Sequence, residues 1–392
     1  EEAVIMEKTA LVLSGGGSRG GYQVGVWQAL RELGIEIDIV TGTSVGAINA
    51  SMVVTGEFEQ AKALWIEAET NMIFDLDNDS LYNAAKTEKI KNTHGFMGMP
   101  MQEALSYAKN ALIRGGAGSG GMLEILEKYL NLDDFFASPI EYGMVTAELP
   151  TFKGHYLYKE ELPKDLAHQY ILASASCFPA ARYCVIDEKK FVDGGYADNL
   201  PIDMAMDKGA TRIIAVDLEA VGVVKKESLL RAKTQAKEFQ YISSLWDLGN
   251  FLCFDPETNR RNLTLGYLDA MKAFKQYQGK YYTFPQNTFP ENQMRRADAA
   301  AHIFDLDPLV VYSKDQLDAA LRPKILDAQI ALGKKTQPLH TKLRHETLTI
   351  FIAESLKEHQ SESPFLKKYV LKTLREEVLA ASYLLRNNLL FD

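Results

Sequence analysis

The chain has 392 residues, 46% of them hydrophobic, 10% aromatic and 24% charged, an ordinary globular composition with ample material for a large core. Its 43 Lys and Arg face 52 Asp and Glu, a net charge of −9, which argues against bulk electrostatic binding of nucleic acid and against strong attraction to anionic membranes, a local basic patch aside. The three cysteines, Cys177, Cys184 and Cys253, are odd in number and lack metal-ligand spacing, so they read as reduced thiols of a cytoplasmic protein.

Glu1 to Ala10 holds no basic segment followed by an apolar run, so no signal peptide is expected. No apolar run approaches the roughly 18–20 residues that span a bilayer, so any contact with lipid is expected to be peripheral. Thr9 to Leu13 is a short apolar run that stops at Ser14 and three glycines, as a buried strand of a parallel sheet would. Past the turn Gly15–Gly21, Val24, Trp27, Leu30 and Leu33 share one face of a helix that Gly34 stops. Ile35 to Val40 is the second strand, and it runs directly into Gly42-Thr43-Ser44-Val45-Gly46 and a helix carrying Ala47, Ile48, Ala50, Met52 and Val53. Two parallel strands joined this closely imply a right-handed crossover, with both glycine-bearing turns at the carboxyl ends of the strands, where open α/β sheets hold their sites.

Phe58 to Thr70, Met101 to Ile113 and Met122 to Leu130 read as helices. The polar stretch 71–100 and the glycine-rich Arg114–Gly121 read as an insertion, either a lid over the site or a plain surface loop. Ile140 to Ala147, Gly154 to Tyr158, the brief end Phe191-Val192 and Thr211 to Leu218 read as strands, with a helix over Asp165–Ala173. From about Lys225 the pattern turns mainly helical, with a further α/β-like piece near Leu263–Gln278 and helices alone after Pro308. Ser313-Lys314-Asp315-Gln316 is a capping box, and Ser363-Pro364 starts a last helix whose apolar stripe includes Val378, Leu385 and Leu389 and is expected to pack against the main domain. The expected fold is α/β, a mainly parallel central sheet sandwiched by helices over residues 1–290, with a C-terminal helical extension over 291–392.

Three motifs carry chemistry. A serine at the tip of a sharp strand-to-helix turn has its Oγ exposed, and small residues on both sides let the arms of the turn pass, which is the place of Gly42 and Gly46 around Ser44. The helix N-terminus behind Ser44 adds unpaired N–H groups where negative charge develops in acyl transfer. Gly15-Gly16-Gly17-Ser18-Arg19-Gly20 also fits the dinucleotide fingerprint, but that reading needs an acid at the end of the second strand. Asp38 precedes the end of that strand, and the required position holds Gly42-Thr43-Ser44. The alternative use of the loop is an oxyanion hole of bare backbone N–H groups. Asp193, between a short strand and Gly194-Gly195, is either a simple turn residue or a base at a second strand tip. A Ser-His-Asp esterase would instead need one of the late histidines, His302, His340, His345 or His359, none of which lies at a strand end or in a glycine-flanked loop.

Together, Gly-Gly-Gly-Ser-Arg-Gly, Gly-Thr-Ser-Val-Gly, Asp-Gly-Gly followed by Asn199-Leu200-Pro201, and the stretch Ser174-Ala175-Ser176…Phe178-Pro179 resemble the patatin-like phospholipase family, over about Lys8 to Asp217. The resemblance implies a patatin-like fold and hydrolysis of acyl esters of lipids by a dyad in which Ser44 is the nucleophile and Asp193 the base. It implies an oxyanion hole from Gly15, Gly16, Gly17, Ser18, Arg19 and Gly20, a nucleophile elbow of Gly42, Thr43, Val45 and Gly46, and an Asp-loop of Gly194 and Gly195. Arg19 has two readings, a holder of lipid phosphate or a partner of a structural acid. No metal or cofactor is expected. The expected partner is a lipid or acyl-ester substrate, met at a membrane surface or free, and no nucleic acid. A lipid-binding protein that uses the fold without turnover is the remaining class.

Overall fold

Thr9–Leu13 (β1) is buried at four of its five residues, with Ala10 and Val12 on one face and Leu11 and Leu13 on the other, as a strand covered on both sides must be. The structure is a computed structural model, and it describes residues 7–73, 118–333, 344–358 and 375–391. Its chain divides into two compact units, Glu1–Ala270 and Met271–Asp392, so the limit drawn from the sequence at 290 falls inside the second.

The first unit is built on an eight-stranded sheet: β1, β2 (Ile39–Thr43), β3 (Glu141–Glu148), β4 (Lys153–Tyr158), β5 (Cys184–Ile186), β6 (Lys189–Asp193), β7 (Arg212–Asp217) and β8 (Glu238–Ser243). The strands lie in the order β5-β6-β3-β2-β1-β7-β8, with β4 also paired to β3. β3, β2, β1, β7 and β8 run parallel, and β4 and β6 lie antiparallel to β3. Ala10, Val12, Ile213 and Ala215 form one buried face with Ile202 and Ala205 of helix Ile202–Asp207 and Ala232 of helix Lys226–Gln235. The crossover from β1 to β2 is helix α1 (Gly21–Glu32), and β2 feeds helix α2 (Val45–Thr55), then α3 (Phe58–Glu67).

One feature of the register positions the site. β4 pairs with β3 from Gly143 to Glu148 and so fills one edge of that strand. β2 pairs with the other edge up to Thr43 opposite Val145, and β6 takes that edge over at the next residue, with Asp193 opposite Thr146. β2 and β6 therefore arrive from opposite directions along a single edge of β3 and end against each other. Neither chain can continue straight. β2 turns out of the sheet into α2 at Ser44, and β6 turns out at Gly194, where a Cβ would lie 2.1 Å from the Val145 carbonyl oxygen.

β8 is a departure from expectation, since Glu238–Ser243 was read as part of a helical region. Phe239 and Tyr241 alternate with Glu238 and Gln240, and only Ile242 is buried, which suits the last strand in the order. The lid region 71–121 falls mostly on residues 74–117, outside the described residues, as does the helix read over 101–113; the beginning of the last helix, at Ser363-Pro364, also lies outside them. Among the described residues no helix is long and apolar enough to cross a membrane.

The second unit has a two-stranded ribbon, Tyr277–Gln278 with Phe284–Pro285, and helices Glu291–Ile303, Lys314–Gly333, His345–Glu358 and Arg375–Arg386. The capping box is present, with Ser313 N–H donating to Gln316 Oε1 at 2.9 Å and Gln316 N–H to Ser313 Oγ at 3.3 Å. The stripe residues Val378 and Leu385 pack on Ile352, Ala353 and Ala381, within this unit.

Candidate active site

Ser44 has φ 57 and ψ −130, a backbone conformation that costs a non-glycine residue on the order of 1–3 kcal/mol and persists only where the surroundings impose it. Here they do. A Cβ on Gly42 would lie 2.3 Å from the Gly46 carbonyl oxygen, and one on Gly46 would lie 2.3 Å from that of Leu13, so the two arms of the turn close only without side chains. The Ser44 N–H donates to Ser174 Oγ at 2.9 Å, and Ser174 Oγ donates to the Val145 carbonyl at 2.6 Å. Thr43 Oγ1 donates to the Asp198 carbonyl at 2.7 Å. α2 begins at Val45, so its positive end lies directly behind the serine.

The glycine loop lies beside this turn. Gly15 N–H donates to the Asn199 carbonyl (3.1 Å), Ser18 N–H to that of Phe251 (2.8 Å) and Arg19 N–H to that of Gly16 (3.2 Å). Between them, the N–H groups of Gly16 and Gly17 have no protein acceptor among the described residues, and both glycines line the same cavity as Ser44. Gly17 has φ +54, and a Cβ there would sit 1.9 Å from the Phe251 carbonyl oxygen. Ser18 Oγ donates to the Asn250 carbonyl at 2.8 Å, and the Gly20 carbonyl accepts from Asn49 Nδ2 at 3.1 Å.

Arg19 points away from the cavity. Its guanidinium donates to the carbonyls of Gly249 (2.8 Å), Leu218 (3.1 Å) and Glu219 (3.2 Å), and burial lowers its pKa against the raising fields of Asp247 and Glu219. It ties three backbone segments together and faces neither reading's partner directly.

Asp193, only 6% exposed, accepts the Gly195 N–H at 2.8 Å, and its own N–H donates to the Ser176 carbonyl at 2.9 Å. Burial pushes its carboxyl up to about 6, against the opposing pull of the Ser44 hydroxyl and the Gly195 N–H. Ser44 and Asp193 thus line one cavity, with the hydroxyl near enough to bear on the carboxyl's titration. The Gly195 carbonyl accepts from Val223 N–H (2.8 Å) and the Val223 carbonyl from Asn199 N–H (2.7 Å), so Asn199 joins the glycine loop, the Asp-loop and the segment after β7.

A cavity of about 530 Å³ opens onto these groups. Gly16, Gly17, Ser44, Val45, Asp193 and Gly195 line it, whereas Gly15, Ser18, Arg19, Gly20, Gly42, Thr43, Gly46 and Gly194 stand behind it as supports. The rest of its wall is largely apolar, including Ile48, Trp65, Ile73, Leu126 and Phe254. Cys177 also lines it, and burial pushes that thiol up to about 12.

Among the described residues no histidine lines the cavity. His302 bonds Glu376 at 2.9 Å and stacks on Tyr281, and His345 bonds Glu377 at 2.6 Å; His340 and His359 lie outside the described residues. Asp38 sits before β2 and accepts the Thr9 N–H at 2.7 Å, at the opposite end of the parallel strands from the glycine loop, where it could not reach a ribose held there.

Sequence reasoning gave no role to several residues. Ser174 and Asn199 were present only as parts of a family pattern. Gln23, Asn49 and Trp65 were read as helix residues, yet they form a buried relay described below.

The family model for the patatin-like phospholipases matches residues 11–206, half of the 392-residue chain. The chain belongs to the patatin-like phospholipase family. The three glycine-bearing motifs all fall inside the matched residues. Among curated proteins, the chain is 27% identical over 286 residues to the lysophospholipase NTE1 of Candida albicans, covering 71% of this chain and 18% of the relative. It is 28% identical over 221 residues to the patatin-like phospholipase domain-containing protein ZK370.4 of Caenorhabditis elegans, covering 54% of this chain and 14% of the relative. The chain therefore spans less than a fifth of the length of these relatives. Among solved structures, VipD from Legionella pneumophila aligns with a TM-score of 0.43 at 15% identity, over 98% of this chain and 88% of that one.

Proposed function

We propose that this member of the patatin-like phospholipases is a serine acyl hydrolase that cleaves acyl esters of lipids, phospholipids among them, through a Ser44–Asp193 dyad. The observation that carries the reading is the meeting of β2 and β6 on one edge of β3, which brings a hydroxyl and a buried carboxyl to the wall of one largely apolar cavity.

In this mechanism Asp193, as carboxylate, accepts the Ser44 proton while Oγ attacks the ester carbonyl. A carboxylate is a weak base for an alcohol, so the negative charge that develops on the carbonyl oxygen must be stabilised strongly. The N–H groups of Gly16 and Gly17 supply two donors with no competing acceptor, and α2 adds its positive end; one such donor is worth on the order of 3–4 kcal/mol in a transition state. The proton passes from Asp193 to the departing alcohol oxygen, which leaves an acyl ester on Ser44. Water then gives a proton to Asp193, attacks the acyl carbonyl and releases the fatty acid, and the proton returns to Ser44. The setting is a peripheral one, with substrate entering the cavity from a lipid surface or from solution.

Two features favour the dyad over a histidine-assisted triad or a binding-only role: among the described residues no histidine lines the cavity, and the serine turn holds a strained backbone conformation. The lysophospholipase name of fungal relatives makes single-chain lipids the first substrates to assay, beside p-nitrophenyl esters. Ser44→Ala is expected to lower hydrolysis on the order of 10⁴-fold or more while leaving the fold intact. A fluorophosphonate probe should label wild type and spare the variant. Full activity in Ser44→Ala, or a wild type that hydrolyses none of the panel and takes no label, would overturn the reading.

A further inference from the structure

Three buried side chains and two backbone carbonyls form a continuous polar relay behind the cavity wall. The Trp65 indole N–H donates to Asn49 Oδ1 at 2.8 Å. Asn49 Nδ2 donates to Gln23 Oε1 at 2.8 Å and to the Gly20 carbonyl at 3.1 Å. Gln23 Nε2 donates to the Ser14 carbonyl at 2.7 Å. The direction of this relay is fixed by chemistry. An indole nitrogen can only donate, so Asn49 must turn its oxygen to Trp65 and its NH₂ to Gln23, and Gln23 must then turn its NH₂ to Ser14. Each link constrains the next, and the groups are buried, where such bonds hold geometry tightly.

The relay joins three parts of the site. Ser14 directly precedes the glycine loop. Asn49 lies on α2, the helix that starts behind Ser44, one residue from the cavity-lining Ile48. Trp65, on α3, is itself a wall of the cavity, and its ring stacks on Phe254 with 5.9 Å between centroids. On its other side a Cβ built on Gly20 would come within 2.5 Å of the indole. The ring is thus held by a hydrogen bond, a stacking partner and backbone contact, and cannot swing aside to admit a longer ligand. A core position that needed only bulk would not need the indole oriented by two buried amides.

We propose that Trp65 is a specificity-determining residue: a fixed wall of the acyl subsite that limits the length of hydrocarbon chain accepted beside Ser44. The inference rests on the reading of the cavity as an acyl-ester site. It assigns the ligand chemistry of the apolar wall to a straight hydrocarbon chain, and it makes chain-length selectivity a property of one side chain and the relay behind it.

The test is the graded series Trp65→Phe, Trp65→Leu and Trp65→Ala, assayed with p-nitrophenyl butyrate, octanoate and dodecanoate. The ratio of kcat/KM for dodecanoate over butyrate should rise along the series as the wall recedes, by about tenfold or more between wild type and Trp65→Ala, in line with the free energy of a few methylenes newly accommodated. Trp65→Leu keeps an apolar filler and gives the answer should Trp65→Ala not fold. Where wild type hydrolyses no ester, the proposed function fails and the wall is tested by binding instead: dodecanoate is titrated calorimetrically into Ser44→Ala and into Ser44→Ala/Trp65→Leu, and the second should bind more tightly. A chain-length ratio within twofold of wild type across every folded variant, or equal dodecanoate affinity in the two binding proteins, overturns the inference.

Discussion

Ser174 accepts the backbone N–H of Ser44 at 2.9 Å through a hydroxyl that itself donates to the Val145 carbonyl at 2.6 Å. Ser174 is fully buried, at the end of helix Ala167–Ser174, and Val145 lies opposite Thr43 on β3. One hydroxyl thus pins the strained serine turn to β3, the strand along whose edge β2 and β6 meet. Ser174→Ala would leave the Ser44 N–H buried without its acceptor, at about 1–3 kcal/mol. The turn is the costliest backbone in the site, so the loss should appear as misplacement of Oγ. The expected outcome is a kcat lowered ~10–100-fold with KM little changed, together with a lower melting temperature. Steady-state kinetics on a soluble ester checks it. A variant that loses stability but keeps kcat would make Ser174 a packing residue only.

The carboxyl of Asp193, pushed by burial up to about 6, sets two pH dependences with opposite consequences. As a base it must be ionised, so kcat/KM should fall about tenfold per pH unit below pH ~6 and level off above about 7. Stability runs the other way. The folded pKa lies above the ordinary 3.8, so the folded state holds the extra proton between the two values. The stabilising contribution is full below 3.8 and lost as pH rises through about 6, amounting to about 3 kcal/mol for a shift of this size. Asp193→Asn keeps an acceptor for the Gly195 N–H and never ionises. It should therefore be inactive yet more stable than wild type at pH 8, with the gap closing toward pH 4. Melting curves of the two proteins across that range decide it. A gap independent of pH would mean that the carboxylate is not paying the cost of burial in the folded state.

How far the sequence reveals this site depends on the range of the interactions involved. β1, the glycine turn, β2 and the Ser44 turn are local features: each is an apolar run followed by residues whose backbone demands are visible in their types. The meeting of the strand ends that carry Ser44 and Asp193 was available only through resemblance to a family, because it is made by the register of two strands on a third, and β3 begins almost a hundred residues after Ser44. The β5–β6 hairpin was hidden for a different reason. Its turn residues Asp187 and Glu188 both have positive φ, at 49° and 66°, without the glycine that normally announces such a turn. The relay of Gln23, Asn49 and Trp65 was equally out of view, since helix periodicity says which residues are buried and nothing of how buried amides are paired. Nor could the sequence show that Asp193 would be a stronger base than a free carboxylate, because that follows from burial alone.

Arg19 is where the sequence left two roles open, and its contacts now point to a third. The guanidinium spans the carbonyls of Leu218, Glu219 and Gly249, which belong to the segment after β7 and to the loop before helix Pro256–Ala273. The first of these segments continues into Val221 and Val223, which line the cavity, and the second into Phe251 and Leu252, which do so too. Arg19→Ala should therefore loosen the cavity wall from behind. Three bonds from one charged donor, partly replaced by water, are worth about 2–3 kcal/mol of stability. Since the side chain does not face the cavity, KM for a lysophospholipid and for a neutral monoacyl ester of equal chain length should rise in parallel, by less than about threefold apart. Arg19→Lys, with a single ammonium in place of the planar fork, should recover only part of the stability. If KM instead rose at least tenfold for the phosphate-bearing substrate alone, Arg19 would be binding the lipid phosphate, and the carbonyl contacts would belong to the ligand-free protein only.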